Sequence, residues 1–192
     1  CGFRHADVDA ETPDASSYRV RIKTECELLD EFPAVAFGTV LLDALTDADA
    51  GTYGRLCRDE TVNRLFGYDY REDYPDATDV TFLTLAREEF LHGSALVFAV
   101  REKTGGKFLG EATLYAFDGR GGASFAVRLL PEWQRRGFAA DAVSAMAEFA
   151  ASLGMHELTG ECRAENLPSV ALFSKFGTPE EEGDICRVKI AL

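Results

Sequence analysis

The sequence lacks the features that mark membrane and secreted proteins. No apolar run approaches the roughly 20 residues that a membrane-spanning helix needs, and the N-terminus has no apolar core of a secretion signal. We therefore expect a cytoplasmic protein. The chain also does not begin with Met, so we expect that residue 1 is not the native start and that the sequence is a processed chain or a piece of a longer one.

Cysteine and histidine are few and scattered. The five cysteines are Cys1, Cys26, Cys57, Cys162 and Cys186. Their number is odd, their spacing is wide and no CxxC pair occurs, which argues against a disulfide framework and against a zinc site. The three histidines, His5, His92 and His156, lie far apart. We therefore expect no bound metal.

Positive charge is also in short supply. Twenty Lys and Arg residues stand against 33 Asp and Glu residues, which gives a net charge of −13. Nucleic acids and anionic membrane surfaces attract proteins through basic residues, so we expect neither as a partner. An acidic field favours a cationic partner such as an amine. Solubility alone is the other interpretation of the same charge.

The length and composition fit one domain with a sizeable core, because 46% of the 192 residues are hydrophobic. Residues 1–17 are polar and rich in small side chains, which is typical of a tail. Tyr18, Val20 and Ile22 alternate with basic residues, and this period predicts a strand, which we interpret as an extra edge strand. We therefore divide the chain into an N-terminal part, 1–33, and a domain, 34–192.

Hydrophobic periodicity predicts an alternation of strands and helices along the domain. Strands are predicted at Ala34–Leu45, Leu96–Arg101, Lys107–Phe117, Ala123–Leu130, Glu157–Arg163 and Ile185–Leu192. Helices are predicted at Asp49–Arg58, Glu60–Phe66, Thr78–His92, Gly137–Leu153 and Pro168–Phe176. This order predicts an α/β fold, built on a mixed α+β sheet with helices on both faces.

One joint between a strand and a helix has the pattern of an anion site. Residues 130–136 lead from the predicted strand into a helix that begins at Gly137. The first amides of a helix lack partners inside it and carry the positive end of its dipole, so a pyrophosphate suits them. Gly137 allows close approach, Ala139 leaves the helix start uncrowded, and Arg135 and Arg136 add positive charge. An ordinary joint with solvated arginines is the alternative.

Three segments resemble signatures of the GNAT superfamily of N-acetyltransferases. Gln134-Arg135-Arg136-Gly137-Phe138-Ala139 resembles the acetyl-CoA motif Gln/Arg-x-x-Gly-x-Gly/Ala. The segment from Asn166 to Gly177 resembles the second signature, Asn-x-x-Ser followed by a helix and Lys-x-Gly. The segment from Lys107 to Leu114 resembles the strand that carries an Ile/Leu-Gly pair. The matches keep the family's order, cover about residues 34–192 and are most similar to the branch of the ribosomal-protein N-terminal acetyltransferases.

The resemblance implies a GNAT-like fold, with a twisted and mostly antiparallel sheet in which the parallel strands 123–130 and 157–163 splay apart. The pantetheine arm of acetyl-CoA would fill that gap, and a backbone N–H at a bulge near Leu129-Leu130 would polarise the thioester carbonyl. The implied cofactor-binding residues are Leu129, Leu130, Gln134, Arg135, Arg136, Gly137, Phe138, Ala139, Asn166, Ser169 and Phe173.

The resemblance also implies an activity, the transfer of acetyl from acetyl-CoA to a primary amine on a small molecule or a peptide terminus. A carboxylate serves as base, directly or through water. The family's Glu aligns with Ser124, which is not a strong base, so Glu111 on the neighbouring strand is the replacement that we predict. An exposed strand carboxylate without a role is the alternative for Glu111, and Asp118 is a weaker candidate base.

Two further features bear on the activity. The family's thiolate-protonating Tyr aligns with Phe173, which has no proton to give, so Ser174 or Cys162 would have to help if the thiolate does not leave unaided. The acidic and aromatic loop Tyr68–Asp76 is a candidate for holding a cation. The missing Glu and Tyr support a second hypothesis, a non-catalytic acetyl-CoA-binding module of a larger protein. Many members of the family dimerise, so a homodimer is possible.

Overall fold

The structure is a computed structural model that describes residues 6–8, 20–66 and 70–192. Strands β1 (Ala6–Val8) and β2 (Val20–Ile22) pair antiparallel in a separate two-stranded sheet. The extra strand that we expected near residue 20 therefore pairs with β1 and does not extend an edge of the main sheet. Across the described part of the chain, no helix is both long enough and apolar enough to span a membrane.

An eight-stranded sheet forms the body of the domain, in the order β3-β4-β5-β6-β7-β8-β10-β9. Its strands are β3 (Val35–Phe37), β4 (Val40–Ala44), β5 (Ala95–Glu102), β6 (Phe108–Tyr115), β7 (Gly122–Leu129), β8 (Glu157–Arg163), β9 (Glu180–Glu182) and β10 (Ile185–Ala191). The helices are α1 (Ala50–Arg58), α2 (Glu60–Asn63), α3 (Tyr70–Asp73), α4 (Asp79–Leu91), α5 (Phe138–Ser152) and α6 (Leu167–Phe173). Mixed α/β architecture was the fold class predicted from the sequence, and it is confirmed.

The only parallel pair of this sheet, within the described ranges, is β7 with β8. Their register runs from Gly122 opposite Glu157 to Phe125 opposite Gly160 and stops there. Strand β7 continues to Leu129 and β8 to Arg163 without further pairing between them. The two strands therefore splay at their carboxyl ends, which confirms the predicted gap in the sheet.

Two cores lie on opposite faces of the sheet, because the central strand β5 is buried on both sides. Its residues Leu96, Phe98 and Val100 belong to the core under α5 and α6. The alternate residues Ala95, Val97 and Ala99 belong to the core under α1 and α4. Successive side chains of a strand point to opposite faces of the sheet, so those of β5 pack against different helix layers. The predicted placement of helices on both faces is confirmed.

The single strand predicted over Ala34–Leu45 is wrong, because the chain turns back at Gly38 and Thr39 to form the β3–β4 hairpin. Asp141 of α5 holds this turn. Its Oδ2 accepts hydrogen bonds from the Thr39 amide at 2.8 Å and from the Thr39 hydroxyl at 2.6 Å. A partner 102 residues away in sequence fixes the turn, so the apolar run alone could not show it.

The predicted bulge near Leu129-Leu130 lies instead on the adjacent strand β6. The β5–β6 register shifts between Val100 and Arg101, which pair with Gly110 and Phe108, so the intervening Leu109 is the extra residue. The β6–β7 register stays regular up to Gly110 opposite Leu129. A Cβ on Gly110 would lie 2.2 Å from the Arg128 carbonyl oxygen, so glycine permits the close approach of these strands.

We expect Gly110→Ala to lower the free energy of unfolding by about 1–3 kcal/mol, because the added methyl group must displace the β7 backbone. Urea denaturation checks this. Gly51→Ala in α1 is the matched control, since its Cβ would meet nothing closer than Asp79 Oδ2 at 4.0 Å. That change should stabilise the protein by about 0.5–1 kcal/mol. Equal stability of the two variants would contradict the close β6–β7 contact.

Candidate active site

The splayed gap adjoins a cavity of about 640 Å³ on the face of the sheet that carries α4. Both strands that border the gap contribute, with Ala126 from β7 and Glu161 from β8. The lining residues are Leu65, Phe66, Glu89, Ala95, Val97, Glu111, Thr113, Tyr115, Ala126, Glu161, Cys162, Arg163 and Ile185. A group held between β7 and β8 would therefore lie next to a compartment large enough for a second small molecule.

The backbone of Leu129 faces the gap, whereas that of Leu130 faces β6. The Leu130 amide donates to the Leu109 carbonyl oxygen at 3.0 Å. The Leu129 carbonyl oxygen accepts from Gln134 Nε2 at 2.9 Å. Alternate residues of a strand direct their backbone groups to opposite neighbours, so the Leu129 amide points toward β8, beyond Phe125, where the two strands no longer pair.

Residues 130–137, here called the anion loop, lead into α5, and the backbone of Gly137 is exposed at the start of this helix. Gly137 is the N-cap of the helix with φ +91°, and no atom lies within 4 Å of the Cβ that a side chain would add. Its carbonyl oxygen accepts from the amides of Ala140 and Asp141, so the amides of residues 137–139 precede the helical ladder. Arg135 and Arg136 are both exposed. Amides that precede the helical ladder and two exposed arginines therefore lie together at this loop.

A third basic side chain, which the sequence analysis missed, joins this loop. Lys107 Nζ lies 4.3 Å from the centre of the Trp133 ring, and Arg136 Cζ lies 4.9 Å from the same centre. Lys107 immediately precedes β6, and antiparallel pairing brings the start of β6 beside the end of β7. The position of Lys107 beside this loop could therefore have been predicted from the register of β6 and β7. Positive charge concentrates at this loop although the chain as a whole is strongly acidic.

Glu111 is buried in the wall of the cavity, with 3% of its surface exposed. Its Oε2 accepts from the Arg128 guanidinium and from the Tyr53 hydroxyl, each at 2.8 Å. Its Oε1 accepts from the Thr113 hydroxyl at 3.1 Å. The alternative of an exposed strand carboxylate is therefore wrong, because Glu111 is a buried member of an ion pair that borders the cavity.

Arg128 is the residue of this cluster that the sequence analysis did not identify. It donates to Asn63 Oδ1 at 2.5 Å and contacts Cys57 Sγ at 3.5 Å. Burial opposes its charge, but the carboxylate of Glu111 raises the pKa of the guanidinium above its usual range. Burial also raises the pKa of the Cys57 thiol to about 12. Arg128 could have been identified from the sequence, because it is the only charged residue in the segment 122–129.

Ser124, at the position of the family's Glu, and Asp118, the weaker candidate base, lie away from the unpaired end of the gap. Ser124 sits opposite Tyr115 and Thr159, where β7 and β8 are still paired. Asp118 holds the β6–β7 turn, and its Oδ1 accepts from the amides of Arg120 and Gly122 at 2.7 and 2.9 Å. Burial raises the pKa of Asp118, but these two hydrogen bonds outweigh that effect and lower it. Neither residue lines the described cavity.

The residues of the second signature, from Asn166 onward, form α6 and lie on the β8 side of the gap. Asn166 is the N-cap of α6, where its Oδ1 accepts from the Ser169 amide at 3.3 Å. Its Nδ2 donates to the Leu65 carbonyl oxygen at 3.3 Å, which links α6 to the cavity wall. Phe173 is 5% exposed and packs edge-on against Phe125, with ring centres 5.8 Å apart. Phe173 therefore occupies the core beneath the paired part of β7 and β8.

The two candidate proton donors are poorly placed to act as acids. The Ser174 hydroxyl donates to the Val170 carbonyl oxygen at 2.9 Å at the end of α6. Cys162 lines the cavity, but burial and the neighbouring Cys186 raise the pKa of its thiol to about 11. A thiol with so high a pKa is a weak acid near neutral pH.

The acidic aromatic loop is described only in part. Tyr68 and Asp69 and the side chain of Tyr70 lie outside the described residues. Tyr74 is 41% exposed, and none of the residues 71–76 lines the cavity. Within the parts of the chain that are described, no group of three or more His, Cys, Asp or Glu side chains could hold a metal ion.

A family model described as acetyltransferase (GNAT) domain matches residues 39–178. In sequence, the chain matches none of the proteins whose functions have been curated. The fold, by contrast, is similar to several solved structures.

Three of these similar structures were solved with coenzyme A or a derivative. RimJ of Mycobacterium smegmatis, in complex with CoA-disulfide, is 19% identical with a TM-score of 0.65, and the match covers 83% of this chain and 86% of that one. The spermidine N-acetyltransferase of Vibrio cholerae, with CoA and spermine, is 19% identical with a TM-score of 0.67, covering 80% and 95%. RimL, a ribosomal alpha-N-protein acetyltransferase, in complex with coenzyme A, is 14% identical with a TM-score of 0.69, covering 83% and 98%. At these identities the likeness concerns the fold.

Proposed function

Because the chain belongs to the GNAT acetyltransferase family, whose domain model matches residues 39–178, it is an acetyl-CoA-dependent N-acetyltransferase, and we propose that its acceptor is a cationic primary amine. The amine is carried by a small molecule or by a peptide terminus. The observation that carries the proposal is the cavity with an acidic lining that opens onto the gap between β7 and β8.

The charge of the cavity supports a cationic acceptor. Three carboxylates line it, those of Glu89, Glu111 and Glu161, together with one arginine, Arg163. Glu111 is paired with Arg128 and Glu161 with Arg187, whereas Glu89 belongs to neither of these ion pairs. An ammonium group gains more from carboxylates in a partly enclosed site than it would in water. Two of the structural relatives fit this class by their names, a spermidine N-acetyltransferase and a ribosomal alpha-N-protein acetyltransferase. The net charge of −13 would also attract an amine from a distance.

The residues around the gap suit acetyl-CoA, which supplies an activated acetyl thioester when bound. The amides of Gly137, Phe138 and Ala139, with Arg135 and Arg136, would hold the pyrophosphate. The unpaired edges of β7 and β8 would hydrogen-bond to the pantetheine arm as they would to another strand. The Leu129 amide, rather than that of Leu130, would donate to the thioester carbonyl oxygen and stabilise the negative charge that develops there.

Glu111 is the carboxylate best placed to accept the proton of the acceptor. An alkylammonium has a pKa of about 10.4, so it must lose a proton before its nitrogen can attack. Glu111 borders the cavity, and Arg128 and Tyr53 fix its position through Oε2. We propose that Oε1, which bonds only weakly to Thr113 at 3.1 Å, accepts the proton through a water molecule. The amine nitrogen would attack the thioester carbonyl carbon directly, so that the amide C–N bond forms, the C–S bond breaks and CoA leaves as its thiolate. No covalent enzyme intermediate is needed.

An amine panel tests the proposed function. The parent protein is mixed with acetyl-CoA and either spermidine or a seryl tripeptide with a free N-terminus, and the release of CoA thiol is followed. We expect release with at least one amine and a background rate without any. Binding of acetyl-CoA by calorimetry without thiol release would instead favour the non-catalytic module.

A further inference from the structure

We propose that Arg128 is a positioning residue that holds the pair Leu65–Phe66, here called the acceptor wall, over the cavity and thereby sets how tightly the amine binds. Leu65 and Phe66 follow α2 and line the cavity. The inference rests on the proposed function, because the cavity must be the acceptor site. Arg128 itself does not line the cavity, so its effect on the amine must pass through the groups that it holds.

The contacts of Arg128 join three separate elements. From β7 it reaches Glu111 on β6 at 2.8 Å and Asn63 on α2 at 2.5 Å. The face of its guanidinium lies over the ring of Phe66, with Cζ 4.5 Å from the ring centre. The strand that carries the Leu129 amide is thereby fixed to the acceptor wall through one side chain, which is 4% exposed.

The partners of Arg128 are themselves fixed. The Nδ2 of Asn63 donates to the carbonyl oxygens of Leu56, Cys57 and Asp59, at 3.1, 2.9 and 2.8 Å. The side-chain oxygen of Asn63 is therefore held toward Arg128 by the end of α1. A buried acceptor with no freedom to turn defines where the guanidinium must lie.

A second contact holds the acceptor wall from the opposite side of the gap. Asn166, which precedes α6, donates to the Leu65 carbonyl oxygen at 3.3 Å. Strands β7 and β8 are separated at this level, so the acceptor wall is held both from the β7 side, by Arg128, and from the side of α6, by Asn166. The position of Phe66 in the cavity lining therefore depends on its contact with Arg128.

The geometry of these contacts suits arginine and excludes lysine as an equivalent. A guanidinium presents several N–H groups in one plane, so it can pair with Glu111, donate to Asn63 and stack on Phe66 at once. An ammonium can keep the ion pair with Glu111, but it has no planar face for the ring and cannot direct two donors in this way. Arg128→Lys should therefore remove the contacts with Asn63 and Phe66 while it keeps a positive charge beside Glu111.

We expect Arg128→Lys to raise the KM for the amine by about tenfold, because a loosened wall weakens amine binding in the ground state and the transition state alike. The kcat should fall by a smaller factor than the KM rises, since Glu111 keeps a cation beside it, and the Kd of acetyl-CoA should stay within about twofold of the parent value. Steady-state kinetics with spermidine or the seryl tripeptide, whichever turns over faster, gives KM and kcat. Calorimetry gives the Kd.

Arg101→Lys is the matched control, because it makes the same change in a second ion-pair cluster, which is partly buried. Arg101 pairs with Asp43 and Asp49, each at 2.7 Å, and these residues lie outside the cavity lining. A purely structural effect of losing a guanidinium should appear equally in both variants as lowered stability. Only Arg128→Lys should change the KM for the amine.

Phe66→Leu tests the same wall if Arg128→Lys fails to fold. It removes the ring under the guanidinium but leaves the Glu111 and Asn63 contacts of Arg128 in place. We expect a similar rise in KM, and in the double variant a rise no larger than about that of the stronger single one, because the two residues act as a unit. Additive effects in the double variant would show that Arg128 does not act through Phe66.

Two results would overturn the inference. One is a KM for the amine that is unchanged in both Arg128→Lys and Phe66→Leu while the parent turns over. The other is a rise in the Kd of acetyl-CoA as large as the rise in KM. If no amine in the panel reacts with the parent, the proposed function fails and the inference fails with it. Turnover by the parent therefore distinguishes the two failures.

Discussion

Gly137→Glu is expected to raise the Kd of acetyl-CoA by about 100-fold or more, as measured by calorimetry. Gly137 has φ +91°, a conformation that side chains rarely adopt, so the substitution strains the start of α5. The carboxylate would also enter the open space beside the amides of residues 137–139. It would neutralise the positive end of the helix dipole and repel a pyrophosphate.

Gly154→Glu is the control for the strain that this variant introduces. Gly154 follows the other end of α5 with φ +78°, and it too has no atom within 4 Å of an added Cβ. Both variants should lose a similar stability of about 1 kcal/mol or more, but Gly154→Glu should keep the parent Kd within about twofold. Equal weakening of acetyl-CoA binding by the two variants would show that strain in α5, and not the anion loop, explains the loss.

Glu111→Gln is expected to lower kcat by about 100-fold to 1000-fold with little change in the Kd of acetyl-CoA. The amide keeps the shape of the carboxylate but cannot accept the proton of the acceptor. The same change leaves the buried guanidinium of Arg128 without its counter-charge, which costs about 3–5 kcal/mol of stability. Loss of activity in this variant alone could therefore reflect unfolding.

The double variant Glu111→Gln with Arg128→Gln separates these two causes. It removes both charges of the buried pair, so the folded state should recover most of the stability that the single variant loses. We expect thermal denaturation to show this recovery and thiol-release kinetics to show that kcat remains low. A double variant that is both stable and as active as the parent would show that Glu111 is only the counter-ion of Arg128.

The two ends of the proposed site carry opposite charge. Lys107, Arg135 and Arg136 lie at the loop that leads into α5, whereas the carboxylates of Glu89, Glu111 and Glu161 line the cavity. An anionic cofactor and a cationic amine would thus be drawn to different sides of the same gap. This separation would allow a strongly acidic chain to hold a pyrophosphate at the loop.

Local patterns were sufficient to predict much of the fold. The continuous apolar run of residues 95–100 reflects the burial of β5 on both faces, and the glycine at position 137 reflects a positive φ. The hairpin within residues 35–44 could not be predicted in this way. Its turn is fixed by Asp141, a residue far along the chain, and only Gly38 and Thr39 interrupt the apolar run at that point of the sequence.

The candidate site was predictable to the extent that it is local. Gly137 and its neighbours form a contiguous motif, so the sequence placed them together. Arg128 was missed because its partners Glu111, Asn63 and Phe66 come from three segments. The pairing of Arg128 with Glu111 could have been predicted by counting the strand register, because these two residues face one another four residues beyond the Tyr115–Ser124 pair.

The most direct test of the account is the identification of the reaction product. The parent protein is incubated with acetyl-CoA and spermidine or the seryl tripeptide, and mass spectrometry is combined with a thiol assay. We predict an N-acetylated amine and an equal amount of free CoA thiol, both lost in Gly137→Glu and retained in Gly154→Glu. Acetyl-CoA binding by the parent without any acetylated product from either amine would contradict the proposed function.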